Sequence, residues 1–369
     1  MRFPEVCGSK RIYMKKTGIF ALCAALFLAS ALLSGCQKKA GGWNGWLTDF
    51  EKAEKEAAKK GKNIFLLFSG EDWDGKTSEF RAAVLEDKAF SPIAKQYVLL
   101  HIDFSETEYA EADIGEDATA AQQKRAQEIA AEYDKREDLA DTYNLTQYPS
   151  IYILSPEGYL LARIPYDKEN LGTPAALAEG LASQADIVRE RENLIAAVRN
   201  SSGLDRVRAI DALFEAMEPE CRACLAGLAA EVPQIDSQDE TGLLGKYELW
   251  NAYIKMQKAL RKGEDRDSSV QLLIDAAERG HLDGELKQEA FYTAAYLLAA
   301  LGSQDFDRLF VLLQLAQDAS PESSAHLQYI DRMREALRQM QAAAAAPAVS
   351  LEEPASPDPQ ESGQVYGRE

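Results

Sequence analysis

Apolar positions in the first half of the chain change their period several times. Trp46, Phe50, Ala53 and Ala57 fall at helical spacing in an Ala-, Glu- and Lys-rich stretch that Gly61 ends, which predicts a helix over 46–60. Ile64, Phe65, Leu66, Leu67 and Phe68 then form an unbroken run between Asn63 and Ser69. Such a run is short for a helix and suits a strand covered on both faces. Residues 74–86 return to helical spacing, 97–104 repeat the buried-strand pattern, and 120–143 read as helix again. Residues 105–119 read as a polar loop carrying Glu106, Glu108, Glu111, Asp113, Glu116 and Asp117. Strands at 150–154 and 159–165 flank Ser155-Pro156-Glu157-Gly158, a hairpin signal.

The predicted order is helix, strand, helix, strand, helix, β-hairpin, helix. A βαβ unit followed by an antiparallel hairpin is an α/β layer fold, expected over residues 46–173. From Pro174 the pattern is helical throughout, in segments 174–199, 203–217, 219–231, 241–261, 268–279, 284–301, 304–318 and 322–342. Short Gly, Pro, Asp and Ser connections imply antiparallel hairpins, so an all-α helical-hairpin domain is expected over 174–342. Ala290 to Pro321 loosely resembles a tetratricopeptide unit, with a turn at Gly302, but no clean second copy follows at a fixed period. Residues 343–369, an Ala run and then Pro, Glu and Ser, read as a disordered tail.

Charge narrows the partners. Of the 369 residues 46% are hydrophobic, enough for sizeable cores, and the formal net charge is −19. Residues 1–35 hold Arg2, Lys10, Arg11, Lys15 and Lys16 against Glu5, a balance of +4, so the remainder is near −23. A surface that acidic repels phosphate backbones, which argues against nucleic acid as a partner.

The first 35 residues read as a targeting segment. Met14-Lys15-Lys16 is a short basic region and a fitting start, and Gly18 to Leu33 is an apolar run short for a membrane span. It ends in Leu33-Ser34-Gly35-Cys36, which resembles the lipobox of bacterial lipoproteins. That resemblance implies cleavage before Cys36, a diacylglyceryl group on its sulfur, and a soluble protein held on the bacterial cell envelope by residues 36–45 as a tether. The alternative is an ordinary secretory leader in which Cys36 is incidental.

Further motifs align with one family. A helix beginning at a tryptophan leads into Gly61-Lys62-Asn63 and the strand. Then come Ser69-Gly70-Glu71-Asp72-Trp73 and a helix, later Tyr97 to Asp103, and finally Tyr143-Asn144-Leu145-Thr146-Gln147-Tyr148-Pro149 with the hairpin. Over residues 43–170 this resembles the thioredoxin-like proteins of bacterial envelopes, in which a tryptophan precedes Cys-x-x-Cys at a helix start. The resemblance implies a thioredoxin-like fold and a cis peptide bond at Tyr148-Pro149, facing the loop Trp73-Asp74-Gly75-Lys76-Thr77. It also exposes a departure: Asp74 and Thr77 stand at the two sulfur positions, and Leu67 and Phe68 stand where the family keeps a buried acid. Dithiol exchange needs a thiolate to attack and a second thiol to resolve the mixed disulfide. A carboxylate and a hydroxyl do neither. What the resemblance leaves is a groove beside Trp73 and Tyr148 that either binds extended peptide or belongs to a scaffold.

Other motifs carry less. Gly70 to Thr77 satisfies the Walker A pattern after a strand and before a helix. Glu71, Asp72 and Asp74 would repel a triphosphate there, so no nucleotide is expected. Cys7 and Cys23 precede Cys36, leaving the pair Cys221-Arg222-Ala223-Cys224 behind Pro219. Three readings stay open for that pair: a structural disulfide or two small buried residues, a redox pair, or half of a metal site needing two more ligands. His101, His281 and His326 are scattered and read as structural, and the acidic loop lacks the spacing of a calcium site. The expectation is an envelope lipoprotein without cofactor or metal that binds protein or peptide. The alternative is a thiol-disulfide oxidoreductase acting through Cys221 and Cys224.

Overall fold

A computed structural model describes residues 45–115, 117–322 and 324–345; the side chains of 324–326 and 345 are excepted. The leader, Cys36 and all but the last residue of the tether lie outside the described residues, as do 346–369 of the expected tail.

Helix α1 (Phe50–Lys60) starts where the Asp49 carboxylate accepts from the Lys52 amide, and ends at Gly61, whose φ of 61° is the left-handed turn that glycine tolerates. Strand β1 (Ile64–Ser69) is buried at every position, as its apolar run implies. Then come α2 (Gly75–Phe80), a π turn at Arg81–Leu85, a 3₁₀ turn at Lys88–Phe90, α3 (Ser91–Ala94) and β2 (Val98–Asp103). Helices α4 (Glu106–Ala110) and α5 (Ala120–Thr142) precede strands β3 (Ser150–Leu154) and β4 (Leu160–Pro165).

The four strands lie in the order β2-β1-β3-β4. β1 runs parallel to β2 and antiparallel to β3, with Leu66 opposite both Leu100 and Tyr152, and β3 pairs antiparallel with β4. Leu47 bridges to β2: its amide donates to the Leu99 carbonyl, and its carbonyl accepts from the His101 amide. The Tyr148-Pro149 bond is cis, as the resemblance implied.

Residues 105–119 differ from the expected loop. Ser105 caps the Glu108 amide and opens α4, while Thr119 and Gln122 form a reciprocal capping box for α5. The expected helix over 174–199 divides at Gln184 into α7 (Pro174–Ser183) and α8 (Ala185–Asn200), after the short α6 (Lys168–Leu171). Next come α9 (Gly203–Glu215), a 3₁₀ stretch at Pro219–Leu225 in place of the expected helix start, α10 (Ala226–Ile235) and α11 (Leu244–Arg261).

Packing places the first helices with the sheet. The described residues form two compact units divided after Lys258, whereas the change of composition falls near Pro174. Arg191 on α8 gives one reason. It is 5% exposed, and its guanidinium donates to the Leu161 carbonyl of β4 at 3.1 Å, the Ala216 carbonyl at 3.3 Å and the Glu218 carboxylate at 2.7 Å. One buried cation thus joins α8, β4 and the turn after α9, and its hydrogen bonds offset the cost of burying the charge.

The second unit contains α12 (Arg266–Glu278), α13 (Gly284–Ala300), α14 (Phe306–Ala319) and α15 (Ser324–Ala345), sequence neighbours packing as hairpins. Gly284 opens α13 where a Cβ would sit 2.6 Å from the Ala319 carbonyl, so only glycine permits that approach. The hairpin of α13 and α14 turns at Gly302, with φ of 86°. Residues 343–345, expected in the tail, continue α15. Among the described residues no helix is long and apolar enough to cross a membrane.

Candidate functional site

The loop after β1 is organised by its own carboxylates. Asp74 is the N-cap of α2: its Oδ2 accepts from the Thr77 amide at 2.9 Å and from the Thr77 hydroxyl at 2.7 Å. Thr77 is buried, and its Oγ1 also accepts from the Gly70 amide at 3.3 Å. The two expected positions therefore meet, as an oxygen pair closed on itself rather than a sulfur pair.

Asp72 reaches across to the end of β2. It accepts from the Ser105 hydroxyl at 2.7 Å and from the Glu106 and Thr107 amides at 2.9 and 2.8 Å, capping α4 from 33 residues away. These hydrogen bonds outweigh the desolvation that opposes them and hold its pKa down to about 2. Glu71 pairs with Arg81 at 3.1 Å. Two of the amides that a Walker A loop would offer to phosphate are thus engaged: Asp74 holds that of Thr77, and Asp103 holds that of Glu71 at 3.0 Å. Lys76 and Gly75 are exposed at the start of α2.

Behind the loop lies a polar set whose members are scattered in the sequence. Ser69 at the end of β1 donates to Asp103 Oδ1 at 2.6 Å and lies 2.6 Å from His101 Nε2. Parallel pairing of β1 with β2 sets this meeting, with Ser69 opposite Asp103 and Leu67 opposite His101. Burial drives the His101 pKa down to about 4, helped by the Arg81 and Arg136 charges, and the ring is neutral at pH 7. Burial pushes Asp103 the other way, up, against its hydrogen bonds from Ser69 and the Glu71 amide. Ser69 is fully buried and out of a substrate's reach, so the set positions the loop and offers no nucleophile. The Ser105-x-x-Glu108 pattern was the one signal in the sequence for this corner.

The aromatic side of the site is continuous. The Trp73 indole N–H donates to the Phe104 carbonyl at 2.6 Å, and its ring meets Tyr148 edge-on at 5.2 Å. Tyr148 contacts Phe104 at 5.6 Å, Phe104 contacts Tyr133 at 6.2 Å, and Tyr133 contacts Tyr109 at 5.3 Å. The indole lies over Gly70, where a Cβ would come within 2.4 Å of the ring. Trp73 is 39% exposed and Tyr109 61% exposed, while Tyr133 is buried with its hydroxyl on the Ser105 carbonyl. Trp73, next to Asp74 in the chain, therefore lies against Tyr148 of the cis-proline turn.

The remaining cysteines stand apart from that loop, on the 3₁₀ stretch. Of the readings open for the pair, the structure holds two thiols rather than a disulfide, Cys221 buried and Cys224 partly so. They pack toward the sheet, with the Cys224 sulfur against the Leu160 backbone of β4. Burial pushes Cys221 up to about 11 and Cys224 up to about 12, against the acidification a reactive pair needs. In a chain beginning at Gln37, both thiols are expected to react with a disulfide reagent at pH 8 about 10²-fold or more slower when native than in guanidinium. Rapid labelling of the native protein would contradict this burial.

Among the described residues no group of three or more His, Cys, Asp or Glu is placed to hold a metal ion. His281 is exposed, and the side chain of His326 lies outside the described residues.

The sheet order, the cis-proline turn and the capped loop define a thioredoxin-like domain followed by a helix-rich region. Residues 50–166 match the family model for the thioredoxin-like domain, and residues 243–345 match one described as an uncharacterised protein C-terminal domain. A solved structure titled DsbH oxidoreductase aligns at 20% identity over 42% of this chain and 94% of its own, with a TM-score of 0.26. No protein of curated function matches the chain.

Proposed function

We propose that this chain is a lipid-anchored protein of the bacterial envelope whose thioredoxin-like domain binds protein or peptide and performs no dithiol exchange at its loop. The observation that carries the reading is the Asp74–Thr77 pair, two oxygen-bearing side chains hydrogen-bonded to each other at the helix start that follows the exposed Trp73. Neither can form or resolve a mixed disulfide. The lipobox ending at Cys36 supports the anchor, and the loop carboxylates Glu71, Asp72 and Asp74, with two loop amides already engaged, support the absence of a nucleotide. The alternative, redox chemistry through Cys221 and Cys224, is disfavoured by their raised pKa values. At pH 7 a thiol near 11 is ionised in about one molecule in 10⁴.

Extended peptides carrying a fluorophore test the groove. Binding measured by anisotropy is expected in the wild type and weakened about tenfold or more by Trp73→Ala, because aromatic anchors dominate such contacts. Binding that Trp73→Ala leaves unchanged would place the ligand elsewhere.

A further inference from the structure

Resting on that reading of the groove, we infer that its occupant is a cationic peptide segment, one carrying lysine or arginine beside the residues that lie on Trp73 and Tyr148. Two independent features converge on one surface. The first is the aromatic row from Trp73 through Tyr148 and Phe104 to Tyr133 and Tyr109, exposed at its two ends, Trp73 and Tyr109. Aromatic faces attract ammonium and guanidinium groups through the ring quadrupole.

The second is the sign of the charge around that row. No lysine or arginine occurs between Gln96 and Gln123, a stretch that carries Asp103, Glu106, Glu108 and Glu111, of which Glu108 and Glu111 pair with Arg136 and Arg125. Asp72 stays ionised because three donors hold it there, and it fixes the start of α4 beneath Tyr109. Glu137 and Asp103 both lie close enough to Tyr148 to act on its hydroxyl.

The nearby arginines are engaged by the protein itself. Arg81 is held by Glu71 and Glu86, and Arg136 by Glu108 and the Asp103 carbonyl. Lys76, exposed on α2, is the opposing charge and is outnumbered. Exposed Glu106 and Glu137 have no ion pair among the described residues, so an incoming cation meets carboxylates not already neutralised. Electrostatic complementarity of this kind selects partners more than it adds raw affinity.

Three twelve-residue peptides of one extended composition, made basic, neutral or acidic, test the inference on the full chain beginning at Gln37. The basic peptide is expected to bind about tenfold or more tighter than the neutral one, the acidic peptide not to bind, and the preference to shrink as salt rises. Glu106→Gln with Glu137→Gln is expected to weaken the basic peptide by about threefold or more and leave the neutral peptide unchanged. The distant exposed pair Glu179→Gln with Glu190→Gln, the same change in net charge, is expected to change neither; equal weakening by both pairs would reduce the effect to bulk charge and overturn the inference. Equal binding of all three peptides, abolished by Trp73→Ala, would also overturn it while leaving the groove reading intact. Failure of every peptide to bind, or binding indifferent to Trp73→Ala, would remove the groove reading and the inference with it.

Discussion

Asp74→Cys combined with Thr77→Cys, made in a Cys221→Ser, Cys224→Ser background, is expected to create an active dithiol in a chain that otherwise has none. The two positions lie three residues apart at a helix start, and the side chains that occupy them already approach to 2.7 Å. The Thr77 amide that now donates to Asp74 would face the first sulfur, and unpaired amides at a helix N-terminus favour a thiolate. Insulin-disulfide reduction is the readout, with a rate expected roughly tenfold or more above the parent background. The cost to the fold is the lost aspartate cap, about 1 kcal/mol. A variant that folds, forms no disulfide and reduces nothing would mean that the loop geometry, and not the missing sulfur, prevents exchange.

Acid is expected to weaken the first unit through His101, above the pH where carboxylates dominate. The folded-state pKa is lowered to about 4 from 6.5, so the unfolded chain takes up the proton first as pH falls. The stability tied to the neutral ring is therefore complete above pH 6.5 and is lost progressively down to about pH 4. A displacement of that size is worth about 3 kcal/mol across the window. His101→Gln keeps a donor for Ser69 and removes the titration. Between pH 7 and 4.5 the variant is expected to lose about 2–3 kcal/mol less than the wild type in urea unfolding. Trp46, Trp73 and Trp250 lie in that first unit, so their fluorescence reports on it. Parallel stability curves for the two proteins would show that the buried ring does not set the response.

Local pattern made most of the first domain legible. An unbroken apolar run marks β1, and Ser155 to Gly158 mark the hairpin, because burial on both faces and turn chemistry are written in adjacent residues. The register of β1 against β2 is not adjacent information. For that reason the meeting of Ser69, His101 and Asp103 could not be read, nor could the reach of Asp72 to the start of α4. That short helix reads as a loop in the sequence because its acidic residues mask the Ser105 cap. Arg191 shows the same limit on a larger scale: a helix of ordinary charged composition carries one buried guanidinium that ties α8 to the sheet. Composition changes at Pro174, but packing does not.

At the site, chemistry was more legible than structure. The replacement of both sulfurs by Asp74 and Thr77 is plain from the motif, whereas their closure on each other required the helix start to be built. For the cysteine pair, spacing left a disulfide, two small buried residues, a redox pair and half of a metal site open, and packing toward β4 gives two free thiols, one buried and one partly so.

Insulin-disulfide reduction by the chain beginning at Gln37, measured beside its Cys221→Ser, Cys224→Ser form, bears most directly on the claim that electrons do not pass through this domain. Neither protein should exceed the reductant alone. Turnover by the chain that is lost when Cys221 and Cys224 are replaced would contradict the account outright.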